Sequence, residues 1–397
     1  LKLRGSYGIL GNQEIGNYLY SASIANNINY VAGSDQHKWV GSIQTGFATP
    51  DIRWETTRTV NAGLDASILN NALSFTFDWF DKETYDILLN VPIPVSTGSN
   101  STPTVNAGKI SNKGFELGLN YNGSAGKFDY NIFGTASHVK NKIIELGTGT
   151  QQLFGGSPAL HAATTTVSQA GGEIGEFFLR KMVGIFQSDE EVKAYNKNGV
   201  LIQPNAKAGD IKYLDVNDDG VISDLDRVHC GSPFPTVEYG LGFNGQMHGI
   251  DLSVYFQGVA GNKIYNGVRH ELEGMNLEQN YSRATLNAWT PENHSTNMPR
   301  AVINDPNYNA YSSSRYLENG SYLRLKTLQV GYSFEETLLQ KIKIRSLRAY
   351  ISADNLLTIT SYTGFNPDLG GAFVGRGVDR DGYPLARTIS FGIQISM

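Results

Sequence analysis

The densest group of side chains able to do chemistry is Asp215-Val-Asn-Asp-Asp-Gly-Val-Ile-Ser-Asp-Leu-Asp226. Oxygen donors at Asp215, Asn217 and Asp219 alternate toward Gly220, which permits the sharp turn a calcium loop needs; the Val221 carbonyl and Asp226 complete the ligand set. Asp226 stands where such loops carry a bidentate Glu, and the flanks do not read as a helix pair. The same residues suit an Asx-rich turn that needs no ion, and the sequence leaves both readings open. Charge argues for an ion: Asp215, Asp218, Asp219, Asp224 and Asp226 crowd together, and only Arg227 is adjacent to offset them.

Other patterns carry less chemistry. Gly240-Leu-Gly-Phe-Asn-Gly245 has the glycine spacing of a dinucleotide turn, but its residues alternate as a strand and no helix follows to receive phosphate. Ser188-Asp-Glu-Glu191 reads as a capping box opening a short helix. His37, His138, His161, His229, His248, His270 and His294 are scattered without metal-ligand spacing, and no nucleophile elbow or zinc-protease motif occurs. Glu116, Asp129 and Asp251 lie on polar strand faces, where acid–base pairing is less expected than plain solvation. No catalytic centre is expected, and the chain does not read as an enzyme.

Those residues sit in a β protein. Among 397 residues are Gly 44, Tyr 21 and Phe 18, with 17% charged; aromatics favour strands, and glycine marks turns and bulges. A net charge of −5 excludes the basic surface that nucleic acid requires. Cys230 is the single cysteine, so no intrachain disulfide can form. No apolar run is long enough for a transmembrane helix, but a transmembrane barrel signals itself by alternation, and a mean hydropathy of −0.28 says nothing against one.

Alternation is present throughout. Ile389, Phe391, Ile393, Ile395 and Met397 occupy every second position of the last stretch, with polar residues or glycine between. Val60 to Ile68 alternates into Asn70-Asn71, and Leu73, Phe75, Phe77 and Trp79 lead back, a hairpin. Phe115–Tyr121 and Phe128–Ala136 form a second around Gly123-Ser-Ala-Gly126, and Val237–Phe243 with Ile250–Phe256 a third around Gln246-Met-His-Gly249. Between Tyr322 and Phe334 the apolar parity switches, which predicts a bulge near Lys326-Thr327. Leu347 to Asn355 alternates again. The total is about ten strands of membrane-spanning length. Phe75, Phe77, Leu117, Leu119, Leu241, Leu252, Val254, Phe391 and Ile393 are expected outward, toward lipid, with Asn61, Asp65, Glu116 and Asp251 toward the lumen. Connections alternate between brief and long: 11–53, 89–113, about 145–235, 261–320 and 362–385 are long, all predicted at one end. That asymmetry belongs to outer-membrane barrels.

Further motifs follow one another in order: Leu1-Lys-Leu-Arg with Gly11-Asn-Gln13, Trp54-Glu55 with Asn61-Ala-Gly-Leu-Asp65, and Asn106-Ala-Gly-Lys-Ile-Ser-Asn-Lys-Gly-Phe-Glu116. Then come Gly209-Asp-Ile-Lys-Tyr-Leu-Asp215, Ser321-Tyr-Leu-Arg-Leu325, Asp354-Asn-Leu356 and Gly364-Phe-Asn-Pro-Asp368. In these the chain resembles the carboxyl-terminal half of the SusC/RagA family, TonB-dependent outer-membrane transporters of Bacteroidetes. The resemblance implies an all-β, antiparallel transmembrane β-barrel in the bacterial outer membrane, of which residues 1–397 would be the carboxyl-terminal part with long extracellular loops. It implies a plug domain and TonB box upstream of Leu1, coupling to TonB, a SusD-like lipoprotein partner, and import of oligosaccharides or peptides. Substrate contacts would lie on the long loops and upper lumen. A calcium-binding surface adhesin is the alternative, and it would bury its alternating faces against a second sheet.

Overall fold

The computed structural model describes residues 1–91, 102–147, 151–157, 163–294, 296–339, 344–371 and 373–396. Parts of the predicted loops, His161 and Met397 lie outside them. Ten strands make one sheet: β1 (Lys2–Asn12), β2 (Glu55–Ile68), β3 (Leu73–Asn90), β4 (Thr104–Ala125), β5 (Phe128–Glu145), β6 (Val237–Met247), β7 (Ile250–Ala260), β8 (Tyr322–Ser333), β9 (Ser346–Thr360) and β10 (Thr388–Ser396). Each pairs antiparallel with the next in sequence, an up-and-down meander with β1 and β10 at its edges.

Local chemistry explains the reversals. Asn70 and Asn71 both lie in the left-handed region that Asn tolerates, closing β2 onto β3. The second turn is tighter than the sequence suggested: β4 continues through Ala125, and only Gly126 and Lys127 separate it from β5. Ser124 Oγ donating to Asp129 Oδ1 at 2.6 Å keeps those extra residues paired. The parity switch is a bulge, with Lys326 skipped between Leu325 and Thr327 in the pairing of β8 with β9.

The sheet has one apolar face and one polar face. Leu119, Leu241, Ile250, Val330, Ile351, Phe391 and Ile393 are exposed, so no described element covers the apolar face. A soluble sandwich would cover it, whereas lipid accepts it bare. The polar face carries ion pairs set over glycines. Arg4, opposite Gly63, donates to Asp65 Oδ1 and Oδ2, both at 2.9 Å, and to Asp78 Oδ1 and Oδ2, both at 2.8 Å. A Cβ on Gly63 would come 2.5 Å from Asp78 Oδ1 and 2.8 Å from Arg4 Cζ, so only glycine leaves the crossing open. Arg348 reaches Asp251 over Gly331 in the same manner, at 2.9 and 2.5 Å.

The buried core lies in the loops rather than the sheet. Phe177, Leu179, Tyr265 and Tyr316 cluster where Glu176–Arg180 from the β5–β6 connection meets Lys263–Asn266 and Leu317–Asn319 from the β7–β8 connection. Ile143, Leu146 and Ile174 join the loop end of the wall to this assembly. All the long connections leave from the same end of the sheet, as expected.

Candidate functional site

The loop at 215–226 is closed by its own side chains. Asp215 accepts from the Asp219 and Gly220 amides at 3.2 and 2.9 Å, and Gly220 has the positive φ of 89° that the turn needs. Asp219 accepts from the Val221 amide at 2.9 Å and from Asn217 Nδ2 at 2.8 Å; these bonds, the Asn217 one first, hold its carboxyl below the usual range. Asp226 is buried and accepts from the amides of Val216 and Ser223 at 2.8 and 2.6 Å. With Ser223 it forms a capping box on a single 3₁₀ turn, a role that the spacing Ser223-x-x-Asp226 could have revealed.

Repulsion among these carboxylates is met by residues remote in sequence. Asp224 pairs with Arg180 at 2.8 Å and Arg227 at 2.9 Å, and Asp218 with Lys197 at 3.2 Å. Of these three cations only Arg227 is adjacent to the loop in sequence. Among the described residues no three His, Cys, Asp or Glu side chains converge to hold a metal ion. In this conformation Asp215, Asp219 and Asp226 accept from backbone amides of the loop itself.

The other sequence candidates fall apart in space or into local roles. Gly240–Gly245 lies wholly within β6. Ser188 caps the helix Asp189–Ala194, but Glu191 accepts from Gln187 N instead of completing the reciprocal box. Glu116 and Asp129 belong to rows eight residues apart along β4, since Asp129 pairs with Ser124, and that is about 27 Å at strand rise. Glycoside hydrolysis needs carboxylates within about 10 Å. Asp251 is committed to Arg348.

What the fold does assemble is a hollow between wall and loops. It has a volume of about 920 Å³ and is lined on one side by strands β2 to β6, on the other by Leu153, Ile174, Phe234 and Arg376. Sequence reasoning missed it because its two sides come from segments separated by entire hairpins. Around it the loops are locked by polar networks. Arg300 forks onto fully buried Asp210 at 2.7 and 3.0 Å, and Asn309 Nδ2 and Lys207 N also donate to Asp210. Arg324, itself buried, donates to Asn366 at 2.7 Å and Asp368 at 3.2 Å, tying the β9–β10 connection to the wall. His270 lies between Tyr265 and Ala310 O, and burial pushes its pKa down.

Residues 1–175 match the family model described as TonB dependent receptor-like, beta-barrel. TonB-dependent receptor P26 of Formosa agariphila is 32% identical over 405 residues, covering 100% of this chain and 40% of that protein. TonB-dependent receptor SusC of Bacteroides thetaiotaomicron is 25% identical, over 100% of this chain and 37% of its own. The solved structure titled the RagAB peptide transporter superposes with a TM-score of 0.79 at 26% identity, covering 99% of this chain and 40% of that one. The chain thus spans about two fifths of the length of the relatives it matches, and these are named as receptors and a transporter, not enzymes. With the meander and its bare apolar face, the matches show a chain similar over its whole length to the β-barrel part of TonB-dependent receptors of the SusC/RagA type, proteins of the bacterial outer membrane.

Proposed function

We propose that the protein to which this chain belongs imports oligosaccharides or peptides across the outer membrane, energised through TonB and paired with a SusD-like lipoprotein. The observation that carries the reading is the loop assembly over one end of the wall, which has its own core and encloses a hollow on the polar side. The names of the relatives, one of them a peptide transporter, support the same direction. On this reading residues 1–397 are barrel and extracellular loop, with the plug elsewhere in the protein. The adhesin alternative has no support, since no described sheet covers the apolar face. Deleting the gene should abolish uptake of one solute class by whole cells, and removing TonB should do the same. Uptake that survives loss of TonB would sink the proposal.

Leu286 and Ile303 stand bare on the β7–β8 connection, at 87% and 85% exposure. Large apolar side chains so placed outside the membrane suit a protein partner. Changing both to Asp should release the lipoprotein from the purified receptor while leaving barrel yield unchanged. If the partner still copurifies, the contact lies elsewhere.

Calcium at Asp215, Asn217, Asp219, Val221 and Asp226 remains a proposal on donor chemistry alone. Both oxygens of Asp226 already accept from the Val216 and Ser223 amides, and Asp226 stands in place of a bidentate Glu, so affinity should be on the order of millimolar. Calorimetry of the receptor with calcium should register weak binding that Asp219→Ala removes; absence of heat in the millimolar range would leave the ion-free turn.

A further inference from the structure

The loop core is closed by one titratable ring. His270 sits on the short helix Gly267–Glu273 and is buried. Its ring stacks on Tyr316, with centroids 4.7 Å apart, and meets Tyr265 edge-on at 5.9 Å. Both ring nitrogens are used. Nε2 lies 2.7 Å from Ala310 O and so carries the hydrogen, which leaves Nδ1 to accept from the Tyr265 hydroxyl at 3.1 Å. Tyr265 and Tyr316 belong to the cluster that joins Glu176–Arg180 to the β7–β8 connection. One neutral imidazole therefore ties the helix to the strand Lys263–Asn266, to Tyr316 and to the stretch 305–310. His270, Tyr265, Tyr316 and Glu273 are buried by residues of this chain alone.

The surroundings suit the neutral ring and not the charged one. A second ring hydrogen, on Nδ1, would meet the Tyr265 hydroxyl, whose oxygen the Ser313 amide already faces. Burial pushes the Tyr265 and Tyr316 phenols up, so neither ionises to receive the charge. The carboxylates of the neighbouring elements are committed elsewhere. Glu273, on the same helix, takes Arg269 and Arg315, and Glu318 takes Arg269, Asn266 and Thr363. Asp379, from the β9–β10 connection, takes the Tyr362 hydroxyl, and Asp305 takes the Asn309 and Ala310 amides. Among the described residues none of them pairs with the ring. Burial first, and the Arg315 guanidinium after it, hold the His270 pKa below its ordinary value, against the pull of the Ala310 carbonyl.

We propose that mild acid opens the loop assembly by protonating His270: the charged ring leaves Tyr265, Tyr316 and Ala310, and the core between the β5–β6 and β7–β8 connections parts over an intact wall. Closed, the ring resists the proton; open, it titrates at its ordinary value of about 6.5. The stabilisation is therefore complete above about pH 6.5 and is lost as the pH falls from there toward the lower pKa of the closed state. Burial raises the pKa of Asp305, so acid acts there in the opposite sense and favours the closed form. The device belongs to the loops and does not depend on which solute the receptor imports.

Hydrogen exchange of the purified full-length receptor in detergent, read by mass spectrometry and corrected for the intrinsic pH dependence of exchange, follows the opening segment by segment. Between pH 7.5 and pH 5.5 protection of 265–273 and 305–316 should fall about tenfold, the limit for one ring that titrates at about 6.5 only when open. Peptides from β6 and β7 should keep their protection. His270→Gln can donate to Ala310 O and accept from Tyr265 but has no proton to gain, so its loop protection should stay level or rise slightly through Asp305. If that variant is already open at pH 7.5, His270→Phe, which keeps a ring against Tyr316, takes its place. Wild-type loop protection that does not change with pH would overturn the proposal. So would an equal fall in the variant. Exchange is read without solute, cells or TonB, so a failed uptake assay leaves this result standing on its own.

Discussion

Phe391→Arg in the full receptor is expected to cut the amount of folded protein in the outer membrane sharply, whereas Gln394→Arg is expected to reduce it only mildly. Phe391 lies on the apolar face of β10 with 78% of its surface exposed, and Gln394 lies on the opposite face, accepting from Arg348 Nη1 at 3.3 Å. An arginine on the lipid face near the midplane costs ~2–4 kcal/mol, and a lumen-facing one avoids that cost. Gln394→Arg brings a like charge near Arg348, so some loss is expected there. Heat-modifiable migration of membrane fractions measures both; equal yields would mean that the faces are assigned wrongly.

Arg300→Met should loosen the loop assembly without touching the wall. Asp210 is fully buried, and removing Arg300 leaves its carboxylate with only the neutral donors Asn309 Nδ2 and Lys207 N. Stranding a buried charge in this way costs ~3–5 kcal/mol. The expected result is rapid proteolysis within the 261–320 connection of intact receptor, with heat-modifiability of the barrel preserved. Adding Asp210→Asn should recover much of the resistance, because no charge is then left unpaired. Unchanged resistance of Arg300→Met would mean that the network is not holding the loops.

The wall was legible in the sequence because its physics is periodic. Each strand must show lipid one parity and the lumen the other, so Ile389, Phe391 and Ile393 declare their face without any knowledge of a partner. Even the bulge at Lys326 left a trace, as a break in parity. The loops follow no such period. Asp210 meets Arg300 and Arg180 meets Asp224 across long stretches of chain, and nothing local distinguishes Asp210 from the solvated carboxylates near it. The charge of the acidic loop is a case in point: Lys197 and Arg180, which answer it, are not its neighbours in sequence. The capping contact of Asp226 differs, since it follows a local pattern, Ser223-x-x-Asp226.

The arginines laid over Gly63 and Gly331 have a consequence for how the wall finds its alignment. Alternation forbids a slip of one residue, which would turn every side chain to the wrong face, but it tolerates a slip of two. Such a slip between β1 and β2 would move Arg4 from opposite Gly63 to opposite Asn61 or Asp65. There a side chain occupies the space through which the guanidinium now reaches Asp78. Glycine, arginine and aspartate on three successive strands thus act as a key that fits one alignment out of those the hydrophobic pattern allows; a related crossing recurs at Gly331, over which Arg348, set opposite Ser333, reaches Asp251.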